Sequence, residues 1–295
     1  MFKTINLKEA GSRESQNLLK HAIAPRPICF ASTVDAKGNV NLSPFSYFNL
    51  FSGNPPVVIF SVLRKVRNNT TKNTLENVLE VPEVAINIVD YKMVQQVSLS
   101  SCEYPKETDE FIKSGFTKEP SITIKPPRVK ESPVQMECKV LEVKSLGTEG
   151  GAGQLIICEV MMMHIDENIL DENGEIDQLK LHHVARLGGN WYAKISAENL
   201  FEVEKPNVEL GIGFDQLPES IKNSKILTGN HLGQLANVHE TPVINPAFED
   251  KKLKNIFQYF STDPVEMERE LHLYASELLD EGKVEDAWQV LLALA

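Results

Sequence analysis

The chain has 295 residues, 42% hydrophobic and 24% charged, a balance that excludes a disordered or fibrous protein. Its 30 basic and 41 acidic residues give a net charge of −11, which argues against a nucleic-acid partner, because neutralising phosphates takes an excess of cations. The deficit is concentrated late: from Leu200 onward there are 8 basic and 17 acidic residues, so a boundary is expected between a domain at 1–199 and an acidic extension at 200–295.

Met1 to Ala10 mixes charged and apolar residues and has no signal-peptide core. Pro27 to Val34 reads as an apolar strand, and Asp35-Ala36-Lys37-Gly38-Asn39 as the turn of a hairpin. Pro55-Pro56 opens another apolar run, Val57 to Val62, since proline is tolerated at the start of a strand. Lys72 to Leu79 follows Asn and Thr residues suited to capping and is predicted helical. Val84 to Val89 is β-rich, and Asp90 to Ser100 and Lys106 to Lys113 are predicted as short helices. Gln135 to Val140 alternates, with Met136, Cys138 and Val140 on one face. After the glycine-rich turn Gly147 to Gly153, the run Leu155 to Ile165 is nearly all apolar. It reads as a strand buried on both faces, because Glu159 and its length deny it a bilayer. Asn190 to Ile195 closes the series. Six strands with short helical insertions predict a mainly β fold, a barrel rather than a doubly wound sheet, because the tight turns leave no room for a helix after each strand.

The extension differs. Asp263-Pro264-Val265-Glu266 is a strong helix start, and Met267, Leu271, Tyr274 and Leu278 line one face. Gly282 ends that helix, and Val284, Ala287, Trp288, Leu291 and Leu292 line a second. The pair is expected to cover the barrel or a partner subunit, its apolar faces being too large to leave in water. Cys29, Cys102, Cys138 and Cys158 are scattered, without a Cys-x-x-Cys pair, which suits buried thiols in a reducing, cytoplasmic setting.

Three segments could carry chemistry. Asn41-Leu42-Ser43-Pro44-Phe45-Ser46-Tyr47-Phe48-Asn49 packs hydroxyls, amides and aromatic rings together. Pro44 is expected to interrupt the ladder, leaving backbone amides for a flat polar ligand. An ordinary turn followed by core aromatics is the alternative. Arg64 to Thr74 carries Arg64, Lys65, Arg67 and Lys72 without an acid and runs into a helix start, as a phosphate site would, or as a solvated loop would. Leu181 to Tyr192 holds His182, His183, Arg186 and Gly188-Gly189. Adjacent strand histidines point to opposite faces, so no metal site is expected, and Arg186 could meet a phosphate or a carboxylate. Neither a Gly-x-Ser-x-Gly elbow nor a Gly-x-Gly-x-x-Gly fingerprint is present, which excludes the hydrolase and Rossmann readings those motifs carry.

Pro25-Arg26-Pro27-Ile28, Ser32 to Asp35 with Gly38, Asn41 to Phe48, Pro55 to Val58, the basic segment, Ser132-Pro133-Val134 with Glu137-Cys138, and Arg186 to Gly189 occur in that order. Over residues 20–195 the chain resembles the flavin reductase-like, FMN-binding split-barrel family. The resemblance implies a six-stranded antiparallel split β-barrel that forms a homodimer with a flavin in each subunit. FMN is the cofactor it implies, with FAD the alternative and NADH or NADPH a candidate donor. By resemblance Ser43, Pro44, Phe45, Ser46, Tyr47 and Phe48 line the flavin and Arg64, Lys72, Asn73 and Thr74 hold its phosphate. Asn41 and Arg186 complete the set of candidate cofactor residues; no side chain is expected to act as a catalytic acid or base.

Many reductases of this family carry Gly-Asp-His where this chain has Gly151-Ala152-Gly153. The chain therefore looks more like the flavoredoxin branch, an electron carrier with bound FMN that NADH and NADPH reduce slowly and a redox partner protein reduces faster. The alternatives are a reductase handing reduced flavin to a partner monooxygenase, a non-catalytic flavin-binding module, and an assembly scaffold.

Overall fold

A computed structural model describes residues 1–203 and 210–293. The chain divides into two compact units, Met1–Leu200 and Phe201–Ala295.

The first unit is built on seven antiparallel strands: β1 (Cys29–Val34), β2 (Val40–Phe45), β3 (Phe48–Gly53), β4 (Pro56–Leu63), β5 (Glu83–Ile88), then β8 (Val134–Ser145) and β9 (Gly153–Ile165). A small pair, β6 (Lys118–Glu119) and β7 (Arg128–Val129), precedes β8, and another, β10 (Val184–Arg186) and β11 (Tyr192–Lys194), follows β9. The order across the main sheet is β2-β1-β5-β8-β9-β4-β3. Its two edges, β2 and β3, are therefore consecutive in sequence and joined only by Ser46 and Tyr47. Strands lie about 4.8 Å apart, so the edges of a flat seven-stranded sheet would be roughly 29 Å apart. Three peptide units span at most about 11 Å. The sheet must roll until its edges meet, and within the link the Tyr47 carbonyl accepts the Ser61 amide at 2.8 Å, continuing the β3–β4 pairing.

Inside the roll lies a core of Cys29, Phe45, Phe60, Ile86, Met136, Cys138, Ile156 and Cys158, plugged at one side by Leu75 and Val78 of α2 (Asn73–Glu80). A second cluster, with Phe30, Leu42, Phe111 and Phe116, packs β1 and β2 against α3 (Val94–Leu99) and α4 (Glu110–Ser114). The main sheet has seven strands where six were expected. β3 was not expected, as its burial does not alternate and its sequence gives no period-two signal, and the strand expected over 190–195 lies outside the main sheet, as β11 paired with β10. β9 is not buried on both faces: alternate residues are buried, while Met161 and Met163 are exposed. The helices expected from Asp90 and from Lys106 begin later, at Val94 and at Glu110, after turns. The surface helix α1 (Ser12–Ala22), with no buried residue, gave no clear sequence signal.

After α5 (Gln178–Leu181) of the first unit, the second unit contains α6 (Glu219–Lys222), α7 (Gly229–Ala236), α8 (Lys251–Tyr259), α9 (Pro264–Asp280) and α10 (Val284–Leu292). Asp263 caps α9 by accepting the Glu266 amide at 3.1 Å, and Gly282, at φ 74°, makes the left-handed turn into α10. The apolar faces of the α9–α10 pair do not depend on the barrel for cover. Met267, Leu271, Leu278, Trp288 and Leu291 share a core with Ile221, Leu232, Leu235, Leu253 and Ile256 of the same unit. The expectation missed this because α6, α7 and α8 are short and weakly patterned.

Candidate functional site

β2 aims alternate side chains at the start of α2. Asn41, Ser43 and Phe45 share one strand face by the two-residue period. The buried Asn41 amide donates to the Thr74 hydroxyl at 2.9 Å, and the Lys72 ammonium sits 5.4 Å from the centre of the Phe45 ring. The two segments singled out by composition are thus brought together. Pro44 does not interrupt the ladder: β2 runs through it in register with Phe30. The neighbouring outward amide, that of Leu42, is accepted by the Glu110 carboxylate at 3.0 Å, so position 44 belongs to the edge, where a missing N–H costs nothing. The hydroxyls of Ser43 and Ser46 are half-buried and have no hydrogen-bond partner among the described residues.

The start of α2 sets a cation beside helix amides that no side chain caps. A helix leaves its first amides without internal acceptors, and Lys72, at the N-cap, offers no side-chain acceptor to them. Burial lowers the pKa of the Lys72 ammonium; Glu103 works against that shift and Lys65 adds to it. No carboxylate pairs directly with Lys72 among the described residues. Arg64 has a different role in the geometry: its Nε donates to Asn69 Oδ1 at 2.7 Å and its Nη2 to the Asn69 carbonyl, which folds the basic loop around Asn69 at φ 54°.

The glycine-rich turn braces that loop. The Arg64 amide donates to the Ala152 carbonyl at 2.9 Å and the Gly151 amide to the Arg64 carbonyl at 3.0 Å. A Cβ on Gly150 would lie 3.1 Å from the Val66 Cα and carbonyl oxygen, and one on Gly153 would lie 2.7 Å from Ser61 Oγ. Gly150 permits backbone to pack on backbone and Gly153 leaves room for the Ser61 side chain, whereas the sequence shows only a glycine-rich turn and, at 151–153, a missing motif.

Arg186 makes its contacts away from this cradle, with Gly189, Tyr192 and the backbone of Arg26. The histidines are dispersed. His164 Nε2 lies 2.9 Å from Glu137, His182 takes a left-handed turn after α5, and His183 bridges Asp90 through its backbone. Glu137, which alternation sets opposite Met136 and Cys138 on the polar face of its strand, is a fully buried carboxylate. Burial would raise its pKa, but hydrogen bonds from the Thr123 hydroxyl, the Ile122 and Thr123 amides and His164 hold it down at about 2. It ties the Ile122–Thr123 loop to the outside of the sheet. A cavity of about 520 Å³ lies elsewhere, among Asp90, Glu131, Asp166 and Lys180. The last three bond the Thr117 amide, Asn168 and the Leu170 carbonyl, so the cavity offers few free polar groups.

The fold of the first unit has counterparts among known proteins. The flavin reductase like domain model matches residues 21–183. The chain belongs to that family. Among solved structures, component B of nitrilotriacetate monooxygenase from Bacillus cereus is 31% identical, with TM-score 0.64 over 69% of this chain and 99% of that one. A protein with a split barrel domain from Shewanella frigidimarina is 25% identical, with TM-score 0.58 over 68% of this chain and 96% of its own. Flavoredoxin of Desulfovibrio vulgaris, at 19% identity and TM-score 0.54 over 69% and 97%, shares the fold. Membership places this flavin reductase-like chain among the flavin-binding oxidoreductases. No helix among the described residues is long and apolar enough to cross a membrane.

Proposed function

We propose that the first unit binds FMN at the closure of the barrel and passes electrons through it. The observation that carries this reading is the meeting of Lys72 and the uncapped start of α2 with Asn41, Ser43 and Phe45 on β2. Lys72 and the amides of Asn73 and Thr74 would hold the phosphate, with Arg64 shaping the loop around it. Ser43, Ser46 and the backbone from Pro44 to Phe48 would meet the polar edge of the ring system, and Phe45, Tyr47 and Phe48 would wall it. One phosphate cradle fits FMN; no second one adjoins it among the described residues for the diphosphate of FAD. The cofactor supplies two-electron and one-electron redox chemistry. The chain supplies the rest: Lys72 fixes the anionic tail, the β2–β3 link fixes the ring edge, and the core behind Phe45 and Phe60 keeps water from that side.

The site is completed in a homodimer on this reading, since Leu50 and Phe51, just beyond the link, are exposed on β3. A second reading, a reductase that hands reduced flavin to a partner monooxygenase, is favoured by the 31% identity to component B of such an enzyme. Anaerobic reduction of the FMN-loaded protein, with release of the flavin followed by gel filtration, separates the two. Flavin that stays bound on reduction supports the carrier; flavin that leaves supports the component.

A further inference from the structure

Three cations meet where the end of α1 approaches the β10–β11 hairpin: Lys20, Arg26 and Arg186. Backbone pairing builds the group, since Arg26 and Arg186 exchange amide–carbonyl bonds of 2.9 and 2.8 Å. The Arg26 guanidinium is 7% exposed and donates only to carbonyls, those of Lys20, Ile23 and Leu187, while its buried Nε has no partner. Arg186 stacks 4.4 Å over the Tyr192 ring and donates to the Gly189 carbonyl, keeping further N–H groups free. The Lys20 ammonium has no hydrogen bond, and none of the three has a carboxylate partner, among the described residues. Burial, then Arg26, then Arg186 lower the pKa of Lys20.

Carbonyls at the end of α1 account for Arg26, because a cation is stabilised at a helix C-terminus. They do not account for Lys20 and Arg186, which repel each other and Arg26 without a counter-charge. Two further features place the group. Arg26 influences the Tyr47 phenol, in the link that closes the barrel. Trp191, in the loop of the same hairpin and one residue before Tyr192, is 75% exposed. An exposed aromatic ring on the hairpin that carries an unpaired cation suits a ring that carries an oxyanion.

We propose that Lys20 and Arg186, backed by Arg26, hold the anionic group of the molecule that exchanges electrons with the flavin, with Trp191 as the stacking face for its ring. This rests on the flavin reading above and assigns Arg186 to the reaction partner, leaving the FMN phosphate to α2. The oxyanion has two sources, the phosphates of a pyridine dinucleotide or the carboxylate of an aromatic acid.

The test uses the full-length, FMN-loaded protein with two probes that cannot reduce the flavin, NADP⁺ and benzoate. Each is titrated by calorimetry and by Trp191 fluorescence, the other tryptophan, Trp288, being fully buried. At least one probe should bind saturably, and the Lys20→Gln/Arg186→Gln variant should bind it about tenfold or more weakly, as loss of charged hydrogen bonds requires. A response to NADP⁺ identifies the phosphate source, and one to benzoate the carboxylate. FMN affinity, titrated separately, should be unchanged in the variant. Binding of neither probe, or equal binding by variant and parent, would overturn the subsite while normal FMN uptake left the flavin reading standing. A parallel loss of FMN affinity would give both cations to the cofactor and also overturn it. Failure of the parent to take up FMN would sink the flavin reading and the subsite together.

Discussion

Lys72→Ala isolates the phosphate contact. The side chain stands at the start of α2, desolvated and without a carboxylate partner, so its charge is available to a ligand. One charged hydrogen bond is worth about 1.5–3 kcal/mol, and about 1.4 kcal/mol is a tenfold change in affinity. FMN should therefore bind the variant roughly 10- to 150-fold more weakly. The substitution also removes the ammonium over Phe45, a contact of about 0.5–1 kcal/mol. That loss falls on free and bound protein alike and largely cancels in the binding constant. Riboflavin, which lacks the phosphate, is the control. Flavin fluorescence quenching gives both constants, and riboflavin affinity should change by less than a factor of about three. Equal loss for both ligands would mean that the mutation damages the ring pocket. No loss for FMN would refute the cradle.

Four other perturbations follow from the same geometry. Glu137 has a folded pKa of about 2 against about 4.3 unfolded, so its carboxylate stabilises the fold above pH ~4.3. That contribution, about 3 kcal/mol, should fade as pH falls from ~4.3 toward ~2. Acid unfolding of Glu137→Gln should lack that part of the pH dependence. Thr74→Val strands the buried Asn41 amide and should cost about 1–3 kcal/mol in urea unfolding. Gly150→Ala crowds the Val66 backbone at 3.1 Å and should weaken FMN binding several-fold by shifting the basic loop, with riboflavin less affected. Trp288→Ala should destabilise the helical unit by about 3–5 kcal/mol, measured by thermal unfolding, and leave the flavin spectrum unchanged.

The two candidate segments that the structure brings together were legible because their composition is unusual. Ser43 to Phe48 and Arg64 to Thr74 stand out before any fold is known, and Asn41–Thr74 and Lys72–Phe45 then join them in space. What the strand signal could not carry was long-range. Nothing local says that β2 and β3 are opposite edges of one sheet, because that follows only from the pairing of β4 with β9 and of β5 with β8. Pro44 looked like a break because a lone strand does not show which amides face outward. The need for glycine at 150 and 153 is invisible locally because it comes from the Val66 backbone and the Ser61 side chain, both distant in sequence. The helical extension was legible at Asp263 and Gly282, where capping chemistry is local, and opaque in α6 to α8, whose packing partners are distant in sequence.

The most direct measurement is the visible spectrum of the purified protein before and after added FMN, followed by acid release and chromatography of whatever flavin is bound. The account requires the spectrum of a bound oxidised flavin, at up to one equivalent per chain, and FMN as the flavin released. A colourless protein whose spectrum with FMN is only that of the free cofactor would contradict it, as would a released flavin that is wholly FAD.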